Sequence, residues 1–186
     1  MPVIAVIPAR YGSTRLPAKA IADIGGVPMV VRVWRQVRMA HSIERVIVAT
    51  DDERIAAPVR AAGGEAMMTS TAHQSGTDRI AEVAAKVHAD IYINVQGDQP
   101  FTDPRDLEGV PPGALRHIGI YAYRRDFLMR FASMAQGKLE QLEKLEQLRA
   151  LENGYRIRVV ASVSPSLEID TAEDLAKARH SQTGKQ

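Results

Sequence analysis

Four short apolar runs dominate the first half of the chain: "VIAVI" (3–7), "RVIVAT" (45–50), "EAMMTS" (65–70) and "ADIYINVQ" (89–96). The first and last are rich in branched or aromatic residues and too short for buried helices, so they read as strands buried on both faces. Between them lie helix-length stretches. "MVVRVWRQVR" follows a Gly25-Gly26 turn, with Pro28 suited to a first helical turn. "DERIAAPVRAAGG" begins at a turn and cap, Asp51-Asp52, is bent at Pro58 and ends at Gly63-Gly64. "SGTDRIAEVAAKV" has Ser75 or Thr77 as its cap. Regular strand–helix alternation predicts an α/β chain with a mostly parallel, doubly wound, Rossmann-like sheet. At 186 residues, 1–186 reads as a single domain.

The second half reads differently. "HIGIYAYRRDFLMRF" (117–131) predicts a strand and a short helix, and "YRIRVVAS" (155–162) another strand. "IDTAEDLAKARH" predicts a closing helix capped at Thr171. "KLEQLEKLEQLRALENG" (138–154) predicts one long helix with leucines at every third residue from Leu139 to Leu151. At ~100° per residue these leucines sweep about 240° of the cylinder, so a widely buried helix is expected.

Composition excludes several functions. There are no cysteines, hence no disulfide scaffold, thiolate metal site or cysteine nucleophile. A net charge of +2 without a run of Lys/Arg gives nucleic-acid binding little support. No stretch of 18 apolar residues suggests a membrane span, and the N-terminus lacks a signal-peptide layout; a cytoplasmic protein is expected. His73 and His117 have no zinc-site spacing around them.

What remains is an anion-handling pattern. "PARYGSTRLPAK" (8–19) places Arg10, Arg15 and Lys19 on a turn-prone loop directly after the first strand, yet matches neither a Walker A loop nor G-x-G-x-x-G. Such a cation cluster suits a polyphosphate, although a solvated basic loop has the same composition. In open α/β sheets, ligands bind beyond the carboxyl ends of the strands, so this loop and Asp98, after the fourth run, should share a crevice. Beside a triphosphate, Asp98 suits Mg²⁺; alone, it could equally cap a helix. Asp170 is a second carboxylate with a strong capping alternative. Glu143, Glu146 and Gln147 lie within about 100° on the predicted long helix, as a solvated stripe or as polar groups lining a cleft.

With these residues in view, "IPARYGSTRLPAKAI", "VATDD", "HQSGTDRIAEV", "NVQGDQPF", "HIGIYAYR", "LEQLRALENG" and "IDTAEDL" resemble the 3-deoxy-manno-octulosonate cytidylyltransferases, the CMP-Kdo synthetases, in family order over most of the chain. The resemblance implies a sugar-nucleotidyltransferase type of sheet and a Mg²⁺-dependent reaction. The anomeric hydroxyl of Kdo attacks the α-phosphorus of CTP and pyrophosphate leaves, for lipopolysaccharide synthesis. It further implies that Arg10, Ser13, Arg15 and Lys19 hold the phosphates, with Arg15, Lys19 and Asp98 at the chemistry. Gln74, Ser75 and Arg79 fall near the base or ribose, and Asp98 and Asp170 hold the metal. His117, Tyr121, Glu146 and Gln147 line the sugar pocket. A homodimer is also implied. A related sugar acid, such as an amino-Kdo or a sialic-type acid, is an alternative substrate, and a non-catalytic remnant is the rival of another class.

Two departures accompany the resemblance. Family members carry several dozen more residues between "QGDxP" and "HIGIYAYR", where this chain has only "TDPRDLEGVPPGALR" (102–116). A strand parallel to its predecessor needs a crossover of ~10–12 residues, so a segment near 107–115 is expected to be lacking, with a break in the backbone there. Gln99 stands where the family commonly has Glu, which could soften metal affinity.

Overall fold

The structure is a computed structural model that describes residues 2–12, 16–101, 104, 118–160, 162 and 168–183. Its centre is a five-stranded sheet. β1 (Val3–Ala9), β4 (Arg45–Thr50), β5 (Glu65–Met68) and β6 (Ile91–Val95) are parallel, and β7 (Ile120–Arg124) runs antiparallel to β6. The strand order across the sheet is β5-β4-β1-β6-β7. The antiparallel pairing removes the need for a crossover before β7, and with it one ground for expecting missing chain. The 107–115 stretch itself lies outside the described residues, as do Ser13, Arg15 and His117.

Alternate residues of β1 explain the layering. Ala5, Ile7 and Ala9 face one core with α1 (Met29–Val37) and α2 (Glu53–Ala61). Ile4 and Val6 face the other, with α3 (Gly76–Lys86) and α4 (Arg125–Ser133). Both faces are covered, which is why the strand is apolar throughout. A two-stranded hairpin, β2 (Asp23–Ile24) and β3 (Val27–Pro28), turns at Gly25 and Gly26, both at positive φ (59° and 77°) that suits glycine. The C-terminal helix α7 (Ala172–Thr183) docks on this hairpin through a small core of Ile24, Met29, Ile169, Leu175 and Ala178, and Arg179 donates to the Asp23 carbonyl at 2.8 Å.

The single long helix does not form. The chain makes α5 (Lys138–Glu143), takes a left-handed step at Lys144 (φ 57°), and resumes as α6 (Leu148–Glu152). A buried ion pair closes across this reversal, where α6 folds back on α5. Arg149 donates to both oxygens of Glu140 at 2.8 and 2.6 Å, with side chains 6% and 7% exposed. The expected leucine arc is correspondingly absent. Leu139, Leu142 and Leu151 are exposed, and only Leu145 and Leu148 are half-buried. Residues 155–160 form no strand either, and Ile157, Val159 and Val160 are exposed.

Candidate active site

The strand order reverses between β1 and β6, so their carboxyl ends open a crevice at the switch point. Gly97 makes the close approach possible: a Cβ there would sit 3.1 Å from the Pro8 carbonyl oxygen. The cleft is lined by Arg10, Lys19, Gln74, Ser75, Arg79 and Asp98, among others. Six of the residues singled out from sequence therefore meet in one place.

Lys19 stands at the centre. Its ammonium donates to Asp98 Oδ2 and to Asp170 Oδ1, each at 2.7 Å, joining residues 79 and 151 positions away in sequence. Two capping alternatives close at the same time. Thr171, not Asp170, caps the last helix: its Oγ1 accepts from the Asp174 amide at 3.2 Å while its own amide donates to Asp174 Oδ2. Asp98 lies in a turn, and the described residues directly after it (99–101) are not helical. Both carboxylates meet one cation, and among the described residues Asp98 Oδ1 is buried with no hydrogen-bond partner. Hard oxygen donors converging on one positive charge, with a further oxygen unsatisfied, fit a divalent cation such as Mg²⁺. Among the described residues, no group of three or more acidic or histidine ligands gathers.

The far wall is the start of α3. Ser75 is its cap, in a reciprocal capping box with Asp78: Ser75 Oγ accepts from the Asp78 amide at 3.1 Å, and the Ser75 amide donates to Asp78 Oδ2 at 3.0 Å. Thr77, the other cap candidate, points instead to Glu146. Arg79 is 3% exposed and anchored inside the protein: it donates to Asp51 Oδ2 at 2.8 Å and to Thr69 Oγ1. It therefore ties the 69–79 loop to the end of β4. Gln74 is exposed at the rim and donates to the Ala72 carbonyl at 3.0 Å. His73, unassigned from sequence, lines the cleft and bonds Glu82 Oε2 at 2.6 Å. Donors from Lys86, the Ser70 amide and His73 hold the Glu82 carboxyl down to about 2.

A second polar group lies over β7. Thr77 donates to Glu146 Oε2 at 2.8 Å, and Tyr121 donates to Gln147 Oε1 at 3.2 Å. Burial pushes the Glu146 carboxyl above its usual range, against the opposing Thr77 bond and the Arg149 charge. Burial, then Glu146 and Glu168, raises the Tyr121 phenol to about 12, so it remains a neutral donor. Glu143, by contrast, is exposed on α5. Because β7 is antiparallel, its first residues abut the carboxyl end of β6, with Ile120 opposite Val95, so Tyr121 lies near the crevice. No local signal foretold the Thr77–Glu146 and Arg149–Glu140 contacts, which depend on the break at Lys144.

Comparisons with known proteins point the same way. A cytidylyltransferase family model matches residues 4–111 and 110–157, two stretches that meet within the short junction. The chain is 41% identical to the 3-deoxy-manno-octulosonate cytidylyltransferase of Trichlorobacter lovleyi over 246 aligned positions, covering 96% of this chain and 98% of that protein. Since the chain has 186 residues, at least 60 of those 246 positions have no counterpart in it. The protein of the same name from Geobacter metallireducens is also 41% identical, over 95% of this chain and 96% of its own length. Among solved structures, a CMP:2-keto-3-deoxy-manno-octonic acid synthetase complexed with CTP superposes at a TM-score of 0.91 and 35% identity, covering 100% of both chains.

Proposed function

The chain belongs to the 3-deoxy-manno-octulosonate cytidylyltransferase family, and we propose that it joins CTP to Kdo to give CMP-Kdo and pyrophosphate. The observation that carries this reading is the meeting of Lys19, Asp98 and Asp170 at the switch point of the sheet. CTP lies along the crevice, its phosphates toward Arg10 and Lys19 and its nucleoside toward Gln74 and the capped start of α3. Ser13 and Arg15 join the phosphate set by their place in the loop sequence. Preorganised cations there oppose the charge that builds on the departing pyrophosphate. Arg79 acts from behind, as the anchor of the nucleoside loop. Asp98 and Asp170 are the residues that would hold Mg²⁺; when bound, that ion neutralises phosphate charge and eases deprotonation of the attacking hydroxyl. Until then the Lys19 ammonium balances the two carboxylates.

The sugar acid is taken over β7, by Tyr121, Glu146 and Gln147, with His117 assigned from its motif alone. Tyr121 orients the Gln147 amide, and Thr77 fixes Glu146, so the pocket is tied to the helix that begins the nucleoside wall. No side chain is needed as a covalent nucleophile, because the sugar hydroxyl attacks phosphorus directly.

A homodimer and a cytoplasmic location complete the proposal. Exposed Leu139, Leu142 and Leu151 support the first, and light scattering at micromolar concentration tests it; a monomer mass counts against it. For the second, no helix among the described residues is long and apolar enough to cross a membrane. The decisive assay is pyrophosphate release from CTP with Kdo, an amino-Kdo and a sialic-type acid. Release with Kdo alone supports the reading. The absent 60 or more aligned positions favour one rival, a nucleotide-binding remnant, which predicts CTP binding without release with any acid.

A further inference from the structure

Gln99 is 1% exposed, an unusual degree of burial for an uncharged amide beside a polar cleft. Its Nε2 donates to Glu168 Oε1 at 3.1 Å. One residue along on each side, the Ile169 amide donates to the Asp98 carbonyl at 3.0 Å. Two consecutive residues at the end of β6 thus bind two consecutive residues ahead of α7, 69 or more positions away. The next residue in line, Asp170, meets the same Lys19 ammonium as Asp98. Ile169 itself is 0% exposed in the small core under α7, so the segment is held by packing on one side and by the 98–99 pair on the other.

We propose that Gln99 is a positioning residue: by holding Glu168, its amide docks the 168–170 segment so that Asp170 faces Asp98 across one cation. The choice of amide follows from the partner. A glutamate at 99 would bring a second carboxylate, at a position 1% exposed, to within hydrogen-bond distance of the half-buried Glu168. Like charges there repel strongly, whereas the amide presents a donor of the same size. Gln99 therefore acts through Glu168. The role in holding a cation rests on the function proposed above; the docking itself does not.

The test uses the full chain and four forms: wild type, Gln99→Glu, Glu168→Ala, and the exchange Gln99→Glu/Glu168→Gln. Hydrogen exchange of the Ile169 amide, in protein without nucleotide, reads the docking, with the Val48 amide in the central sheet as the control for global folding. Mn²⁺ titration followed by water-proton relaxation reads the carboxylate pair. Loss of a hydrogen bond to a charged group predicts Ile169 exchange about 10- to 100-fold faster in Gln99→Glu and in Glu168→Ala, with Val48 unchanged. Mn²⁺ affinity should fall about tenfold or more in both, and the exchanged pair should restore both readouts, since it rebuilds the bond with donor and acceptor reversed. Unchanged Ile169 exchange in both single variants, failure of the exchanged pair to recover, or tighter Mn²⁺ binding by Gln99→Glu would each overturn the proposal. Should Gln99→Glu fail to fold, Glu168→Ala and the exchanged pair decide. Should wild type take up no Mn²⁺, the metal reading of the site falls, and Ile169 exchange still decides whether Gln99 docks the segment.

Discussion

Replacing Arg149 with Met is expected to destabilise the protein and loosen the sugar pocket together. Arg149 holds Glu140 with two bonds of 2.8 and 2.6 Å, donates to the Phe131 and Met134 carbonyls at 3.3 and 3.4 Å, and lies 4.7 Å from the centre of the Phe131 ring. Both ionic side chains are more than nine-tenths buried. Methionine keeps the apolar stem but leaves Glu140 an uncompensated charge, a loss of about 3–5 kcal/mol. For a chain of this size that lowers the melting temperature by roughly 6–20 °C. Urea titration at pH 7 measures it, with an unchanged m-value showing that the loss is in stability. The pH dependence follows from Glu140, which the Arg149 hydrogen bonds hold below the ordinary value of 4.5. A depressed carboxyl contributes stability above its unfolded value and loses it as pH falls through the folded one. The deficit of Arg149→Met should thus be full at pH 7 and shrink in acid below 4.5. Adding Glu140→Leu should recover most of it, because an apolar pair carries no desolvation cost. Since α6 begins beside Glu146 and Gln147, KM for the sugar acid should rise while KM for CTP holds. A loss under about 1 kcal/mol, where exposed pairs fall, would refute the reasoning.

Three further outcomes are expected. Lys19→Ala should reduce turnover by about 10²–10³ while the fold, followed by circular dichroism, persists; unchanged kinetics would sink the phosphate role. Glu146→Gln should raise the melting temperature at pH 8 and have no such effect at pH 4. The Glu146 carboxyl is raised by burial, so its favourable contribution exists below the unfolded value of 4.5 and is lost as pH rises through the folded one. Equal gains at both pH values would contradict this. Ser75→Ala removes the α3 cap and should cost about 0.5–2 kcal/mol in urea titrations, with an accompanying rise in KM for CTP because the capped turn lines the cleft.

The β1, β4, β5 and β6 strands and the helices between them were legible in the sequence because each carries its own period and punctuation. "VIAVI" is apolar on both faces, Asp52 caps α2, Ser75 caps α3, and Gly63 ends α2. The placement of Arg10, Lys19 and Asp98 at one end of the sheet then follows from the rule that parallel strands bring their carboxyl ends together. The second half obeyed no such local logic. "KLEQLEKLEQLRALENG" has every intrinsic preference for one helix, yet the chain reverses at Lys144 and the bidentate Arg149–Glu140 pair closes across the reversal; helix propensities of at most ~1 kcal/mol per residue are a weak preference that tertiary packing overrides. The direction of β7 was likewise invisible, since a strand's own residues do not say which way its neighbour runs. Asp170 could be read from sequence as a cap or as a ligand. Only the docking of α7 on the β2–β3 hairpin, and the Gln99–Glu168 contact beside it, carried its carboxylate 151 positions back to Lys19. Contacts between distant segments are set by how whole elements pack, and that information is written in no single stretch of chain.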